Sequence, residues 1–155
     1  MSAAREWIKF KHARFTARFP SDFRYWRSHY WMAEVADEPG VWRVGFTKFA
    51  TRMLGELVDF NFKVKPGDPV DPGMEIGWVE GFKASSDVFC VMQGAFACSN
   101  PALAADACIV RSDPYLDGWL YAVRGEPEEG HLDVHGYIAL LNATITRMAE
   151  EEHAA

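Results

Sequence analysis

Met74-Glu75-Ile76-Gly77-Trp78-Val79-Glu80, then Gly81-Phe82-Lys83-Ala84-Ser85-Ser86-Asp87, then Val88-Phe89-Cys90-Val91-Met92 is the stretch on which the fold turns. In its first part Met74, Ile76 and Trp78 alternate toward Glu80, the two-residue period of a strand with one buried face. Its last part is a short apolar run. Two strands joined near Lys83 are expected, with the lysine held out in solvent by a stiff scaffold. Such a placement suits a residue that another enzyme modifies, because the modifying site must reach the amine with its neighbours out of the way. An ordinary solvated turn lysine is the alternative that the residues alone leave open.

Upstream, residues 41–46 suit a strand, and Thr47 is placed to cap a short helix that Gly55 ends, with Phe49, Ala50, Met53 and Leu54 on one face. Val58, Phe60 and Phe62 alternate with Asp59 and Asn61, again a half-buried strand. Lys65-Pro66-Gly67-Asp68-Pro69 and Asp71-Pro72-Gly73 are turns, and Gly94 with Ser99-Asn100-Pro101 closes the region. A short Ala-rich helix is expected over residues 102–107 and a last strand over 119–123. This string of short strands and turns favours an all-β sandwich or flattened barrel over a parallel α/β sheet. The chain then changes character: Val134, Ile138, Leu141, Ile145 and Met148 form one stripe of an amphipathic helix, with Asp133 as its N-cap and Asn142, Thr146 and Arg147 on its wet face.

The 155 residues, 49% apolar and 25% charged, are enough for one sizeable core and too few for two ordinary domains. No apolar run approaches the roughly 18 to 20 residues a membrane helix needs. Charge is uneven. Residues 1–30 hold Arg5, Lys9, Lys11, Arg14, Arg18, Arg24 and Arg27 against Glu6 and Asp22, a net of +5, whereas the remainder carries −11. An acidic body argues against nucleic-acid binding and favours basic protein partners. The Arg-rich start overlaps in composition with organellar transit peptides, but Trp7, Ile8, Phe10, Phe15 and Phe19 suit an ordered or docking segment better. A cytoplasmic protein is expected, with organellar targeting as the alternative.

Cys90, Cys98 and Cys108 lack the close spacing of zinc or redox pairs and read as small buried hydrophobes in a reducing compartment; thiol exchange with a nearby disulfide is the alternative. His131 and His135 are four apart but lack the Glu of a zinc helix, so a capping or surface role is expected and no metal site. No G-x-S-x-G elbow or phosphate-loop glycine pattern is present. Asp113-Pro114-Tyr115 reads as a turn and Trp119 as core.

Taken whole, Glu80-Gly81-Phe82-Lys83-Ala84-Ser85-Ser86-Asp87 resembles the lipoyl-attachment segment of glycine cleavage H proteins, whose usual form is E-S-V-K-A-A-S-D. Glu80, Lys83, Ala84, Ser86 and Asp87 agree with it. Matches follow in the same order elsewhere. Val44-Gly45-Phe46-Thr47 and Leu54-Gly55-Glu56 are similar to V-G-I-T and L-G-D, and Ser112-Asp113-Pro114-Tyr115 and Gly118-Trp119-Leu120 to S-D-P-Y and G-W-[LI]. His29 corresponds to the His of the opening strand's H-E-W. The likeness spans residues 23–123. Gly81 and Phe82 replace the usual Ser and Val beside the lysine, Tyr30 replaces the Glu of H-E-W, and Val91-Met92-Gln93-Gly94 lacks the Pro and Ser of P-V-S-G.

The resemblance implies a mainly β, lipoyl-domain-like fold (a barrel-sandwich hybrid), a flattened barrel with short helices and a C-terminal amphipathic helix. It divides the chain into a basic aromatic extension (1–22), a lipoyl-type H-protein domain (23–125) and a closing helix packed on it (131–152). It implies lipoate joined covalently to Lys83, with Glu80, Ala84, Ser86 and Asp87 as flanking recognition positions, on a carrier without a catalytic pocket of its own. Its partners would be a lipoyl ligase or transferase, a pyridoxal-phosphate glycine decarboxylase, a folate-dependent aminomethyltransferase and a flavin dihydrolipoyl dehydrogenase, with no nucleic acid, membrane or metal. The alternatives are an H-like lipoyl carrier for another pathway, such as heterodisulfide-reductase-like sulfur oxidation or lipoyl relay, and a non-lipoylated adaptor.

Overall fold

The structure, a computed structural model, describes residues 5–154, so the first four residues of the expected extension lie outside the described residues. Strands β1 (Trp7–His12) and β2 (Phe15–Pro20) form an antiparallel hairpin. Next come β3 (Arg24–Trp26), β4 (Tyr30–Glu34), β5 (Val41–Phe46), helix α1 (Lys48–Leu54) and β6 (Leu57–Phe62). They are followed by β7 (Pro69–Val70), β8 (Glu75–Gly81), β9 (Ser85–Phe89) and β10 (Met92–Ser99). Helices α2 (Ala102–Ala105) and α3 (Ile109–Ser112), strand β11 (Tyr121–Pro127) and the long α4 (Val134–Ala154) complete it. Beside the hairpin the described residues form two antiparallel sheets, β3-β4-β5-β11-β10-β7 and β6-β8-β9. Neither closes on itself, so the mainly β, lipoyl-domain-like architecture takes an open, sandwich form.

The six-stranded sheet is buried on both faces because its two-residue period sends large apolar side chains to both. Tyr30, Met32, Val44 and Tyr121 join Ile76, Val79 and Val88 of the smaller sheet in one core. Trp31, Tyr25 and Ala122 enter a second core with Phe10, Phe15 and Phe19 of the hairpin and Val134, Tyr137 and Leu141 of α4. This second core is aromatic. Phe19 is fully buried, with ring centroids 5.5 Å from Tyr137, 6.2 Å from Tyr25 and 6.3 Å from Tyr115. Buried hydroxyls need partners, and these have them. Tyr25 donates to the Pro20 carbonyl at 2.7 Å, the Tyr115 oxygen accepts from the Lys48 amide at 2.8 Å, and the Tyr137 hydroxyl lies 2.8 Å from both Thr47 Oγ1 and His29 Nδ1. Burial pushes the His29 pKa down to about 4, so its ring is neutral near pH 7. Tyr137 thereby ties α4 to the N-cap of α1.

Two β-bulges rearrange the expected alternation. Pairing of β6 with β8 slips between Leu57 and Asp59, so Leu57 is buried and Val58 is turned out, 50% exposed. Pairing of β8 with β9 slips between Glu75 and Gly77, which buries Ile76 and Val79, leaves Trp78 half-buried and leaves Met74 exposed. Residues 88–92 are not one strand: β9 ends at Phe89 and β10 begins at Met92 in the other sheet. Gly94 closes nothing, lying inside β10 opposite Gly125 and Val70. The Ala-rich helix stops at Ala105, since Asp106 is extended, and the last strand starts at Tyr121 rather than Trp119.

Thr47 caps α1 as expected, accepting from the Ala50 amide, but Thr51 rather than Met53 shares its buried face. Asp133 Oδ1 accepts from the Gly136 amide at 2.7 Å, and the α4 stripe packs from Val134 to Ile145 while Met148 is exposed. Of the cysteines only Cys90 is buried. Cys98 is half-buried and Cys108, at the surface where α3 begins, is exposed; all three are free thiols. A hydrogen bond to the Glu56 carboxylate, with smaller contributions from burial and Asp106, pushes the Cys108 thiol pKa up. That disfavours the thiolate that disulfide exchange requires.

Candidate functional site

The expected strand–lysine–strand unit forms from β8, the three residues Phe82-Lys83-Ala84 and β9. The turn is clamped from outside. The Leu54 carbonyl, at the end of α1, accepts from the amides of Lys83 (2.9 Å) and Ala84 (3.3 Å), the Glu56 carbonyl accepts from Phe82 (3.0 Å), and Gly81 donates to the Ala84 carbonyl (2.9 Å). Carbonyls at a helix C-terminus have no partner within the helix, so α1 and the lysine turn satisfy each other. The Lys83 backbone is therefore fixed while its side chain is exposed. Nζ donates to the Arg52 carbonyl at 3.2 Å, a favourable place for a cation near the negative end of a helix. Among the described residues no carboxylate lies within ion-pair distance of it.

Two glycines make this approach possible. Gly55 ends α1 at φ +75°, donating to the Thr51 carbonyl, and a Cβ there would lie 3.0 Å from Lys83 Cγ. A Cβ on Gly81 would lie 2.2 Å from the Leu54 oxygen, a backbone atom that cannot swing aside. Gly81→Ser, which restores the residue usual in the resembled motif, is accordingly expected to lower stability by about 2 kcal/mol, the scale of forced overpacking. An unchanged urea midpoint would contradict the close approach of α1 to the turn.

Of the expected flanking residues, the structure brings Glu80, Ser86 and Asp87 together. Glu80 pairs with Ser85 and Trp78 with Asp87 across β8 and β9, and these residues with Val79 and Ser86 line a shallow depression of about 420 Å³. Ala84 is exposed on the turn, outside that depression. Among the described residues Phe82 is the most solvent-exposed of the large apolar side chains, at 76%, and stands beside the lysine as a bare aromatic face. The backbone acceptors of Arg52 and Leu54 cannot be assigned from the sequence; the only signal for them is the Leu54-Gly55-Glu56 match, which puts a helix end in register with the lysine segment.

Other resembling positions serve the scaffold. Tyr115 caps α1 through the Lys48 amide, His29 holds Tyr137, and Trp119 is buried beneath the Arg43 guanidinium, 4.7 Å from its ring centroid. His131 Nδ1 lies 2.7 Å from the Glu128 carbonyl and His135 is exposed.

The model of the family described as Glycine cleavage H-protein matches residues 23–137. The glycine cleavage system H protein of Coxiella burnetii (strain Dugway 5J108-111) is 36% identical over 130 residues, which cover 82% of this chain and 98% of that one. The protein of the same name from Enterobacter sp. (strain 638) is 34% identical over 125 residues, covering 79% and 95%. Among solved structures, the crystal structure of a glycine cleavage system H protein from Mycobacterium marinum matches with a TM-score of 0.69 at 31% identity, covering 78% of this chain and 97% of that one. Matched by the family model over most of its length and by relatives across nearly the whole of theirs, the chain belongs to the glycine cleavage H-protein family.

Proposed function

We propose that the chain is a lipoyl carrier of the glycine cleavage system, with lipoate joined as an amide to Nζ of Lys83. The observation that carries this reading is the lysine itself: an exposed amine on a backbone held by the Leu54 and Glu56 carbonyls, inside the Glu80-to-Asp87 motif. The residues fit the group. Nζ must lose a proton to attack an activated carboxyl, and its hydrogen bond to Arg52 at 3.2 Å, with no carboxylate partner among the described residues, is easily broken. When bound, the group supplies a dithiolane that carries an aminomethyl unit between enzymes and cycles between disulfide and dithiol.

The protein's part is positional. The α1 clamp fixes where the arm starts, so its tip sweeps a limited volume and its effective concentration at a docked partner is high. Glu80, Ser86 and Asp87 offer polar contacts to the ligase or transferase that modifies Lys83, and Ala84 leaves the approach clear. We read the chain as a carrier component rather than an enzyme, cytoplasmic, with residues 1–22 as an extension, 23–125 as the lipoyl-bearing domain and 131–152 as the closing helix. Glycine decarboxylase, aminomethyltransferase and dihydrolipoyl dehydrogenase are its partners in this reading.

Phe82 and Gly81 beside the lysine favour one second reading, an H-like carrier serving another pathway. Reconstitution of the lipoylated chain with the three glycine cleavage partners separates the two. Glycine-dependent carbon dioxide exchange is expected; its absence with a fully lipoylated carrier would transfer the chain to the second reading.

A further inference from the structure

The hairpin β1–β2 precedes the span that the family model matches, which begins at residue 23. Its inner face is accounted for, with Phe10, Phe15 and Phe19 in the second core. Its outer face carries Trp7, Lys9, Lys11, Thr16 and Arg18, and there Lys9 and Arg18 are direct cross-strand partners. Like charges in that position repel at a cost to the hairpin. No carboxylate among the described residues lies within ion-pair distance of Lys9, Lys11, Arg18 or Lys48. Arg18 instead lies over the Trp7 ring, 5.1 Å from its centroid. Between this face and the 112–115 turn runs a groove of about 670 Å³ whose lining includes all four cations, the Tyr115 ring and a single acid, Asp113. An oxygen of that acid already accepts from the Asp117 amide at 3.1 Å.

The hairpin, through its inner face, also reaches the lysine site. Phe15, at the hairpin's turn, packs edge-on against Phe49 of α1 (5.6 Å) and lies under the Arg52 guanidinium (5.3 Å), and the Arg52 carbonyl is the acceptor for Lys83 Nζ. We infer that the outer face of the hairpin, together with Lys48, docks an acidic segment of a protein that acts on the Lys83 arm. Charge complementarity selects the occupant: the four cations stand on a molecule of net charge −6, so all its other residues together carry −10. That acidic body, with Glu80 and Asp87 on the lysine side, repels a long phosphate backbone but tolerates a short acidic peptide seated among aromatic rings. The link to Lys83 rests on the carrier reading above, whereas the docking itself does not.

The test variant is Lys9→Glu with Lys11→Glu and Lys48→Glu in the full chain. The first substitution sets a carboxylate opposite Arg18 and the third sets one in the first turn of α1, both favourable, so the melting temperature is expected to hold or rise. The matching triple Gln variant guards against local distortion. In calorimetric titration with a short polyglutamate peptide, the wild type is expected to bind about tenfold or more tightly than either variant at low salt, the gap closing near 0.5 M salt. With the lipoylated proteins, KM for the carrier is expected to rise by a similar factor with at least one of the ligase and the three glycine cleavage enzymes, kcat being unchanged. Equal peptide affinity in wild type and variants overturns the docking surface, as does tighter binding of a short single-stranded oligonucleotide than of the peptide. Charge-dependent peptide binding with KM unchanged for all four enzymes overturns the link to Lys83. A wild type that is never lipoylated sinks the carrier reading instead and leaves the peptide result to decide the docking.

Discussion

Lys83→Arg is expected to abolish lipoyl attachment and with it glycine-dependent exchange, leaving only background, while the melting temperature stays within about 2 °C of the parent. A guanidinium remains protonated at any pH the reaction can use and is no nucleophile toward an activated carboxyl. The substitution otherwise keeps what the turn needs. The amides of residues 82–84 still bond to the Leu54 and Glu56 carbonyls, and the longer cation can still donate to the Arg52 carbonyl. Loss of modification without loss of fold therefore separates the chemical role of the amine from its structural one. A large drop in melting temperature would show that the side chain, rather than the clamped backbone, holds the turn.

The second large effect is at the other core. Phe19→Ala is expected to cost about 3 to 5 kcal/mol, read as a lower urea midpoint with the slope unchanged. Phe19 has no exposed surface, and its ring meets Phe10, Tyr25, Tyr115 and Tyr137, residues drawn from the hairpin, the large sheet, the 112–115 turn and α4. The gap is hard to fill, because the rings around it are Phe10 and three tyrosines whose hydroxyls are pinned by Pro20, Lys48, Thr47 and His29. Since a domain's whole stability is typically about 5 to 15 kcal/mol, the variant should lie near its unfolding limit at physiological temperature. A loss below about 1 kcal/mol would mean that the hairpin is not part of the second core.

What is legible in the sequence follows from which interactions are local. Strand β5 over residues 41–46 and the Thr47 cap are readable because the alternation and the cap hydrogen bond lie within a few residues of each other. The lysine turn is legible as an interruption between two apolar strands, and its chemistry through the motif. Simple alternation puts Val58 and Trp78 on the wrong faces because a bulge is decided by the partner strand, not by the strand that bulges. Tyr137 escapes the α4 stripe, although it is fully buried, since a tyrosine counts as core only once partners such as Thr47 and His29, some ninety and more residues away, are known. The carbonyls that hold Lys83 are invisible for a similar reason: every residue has a carbonyl, and only the three-dimensional approach of α1 selects those of Arg52 and Leu54.

The claim that most needs testing is the identity of the modified atom. The direct measurement is intact mass followed by peptide mapping of the full chain after incubation with a lipoyl ligase, lipoate and ATP. A single lipoyl increment is expected, located on the peptide that contains Lys83, with tryptic cleavage blocked after that residue. An unchanged mass, or an increment on Lys9, Lys11, Lys48, Lys63 or Lys65 with Lys83 unmodified, would contradict it.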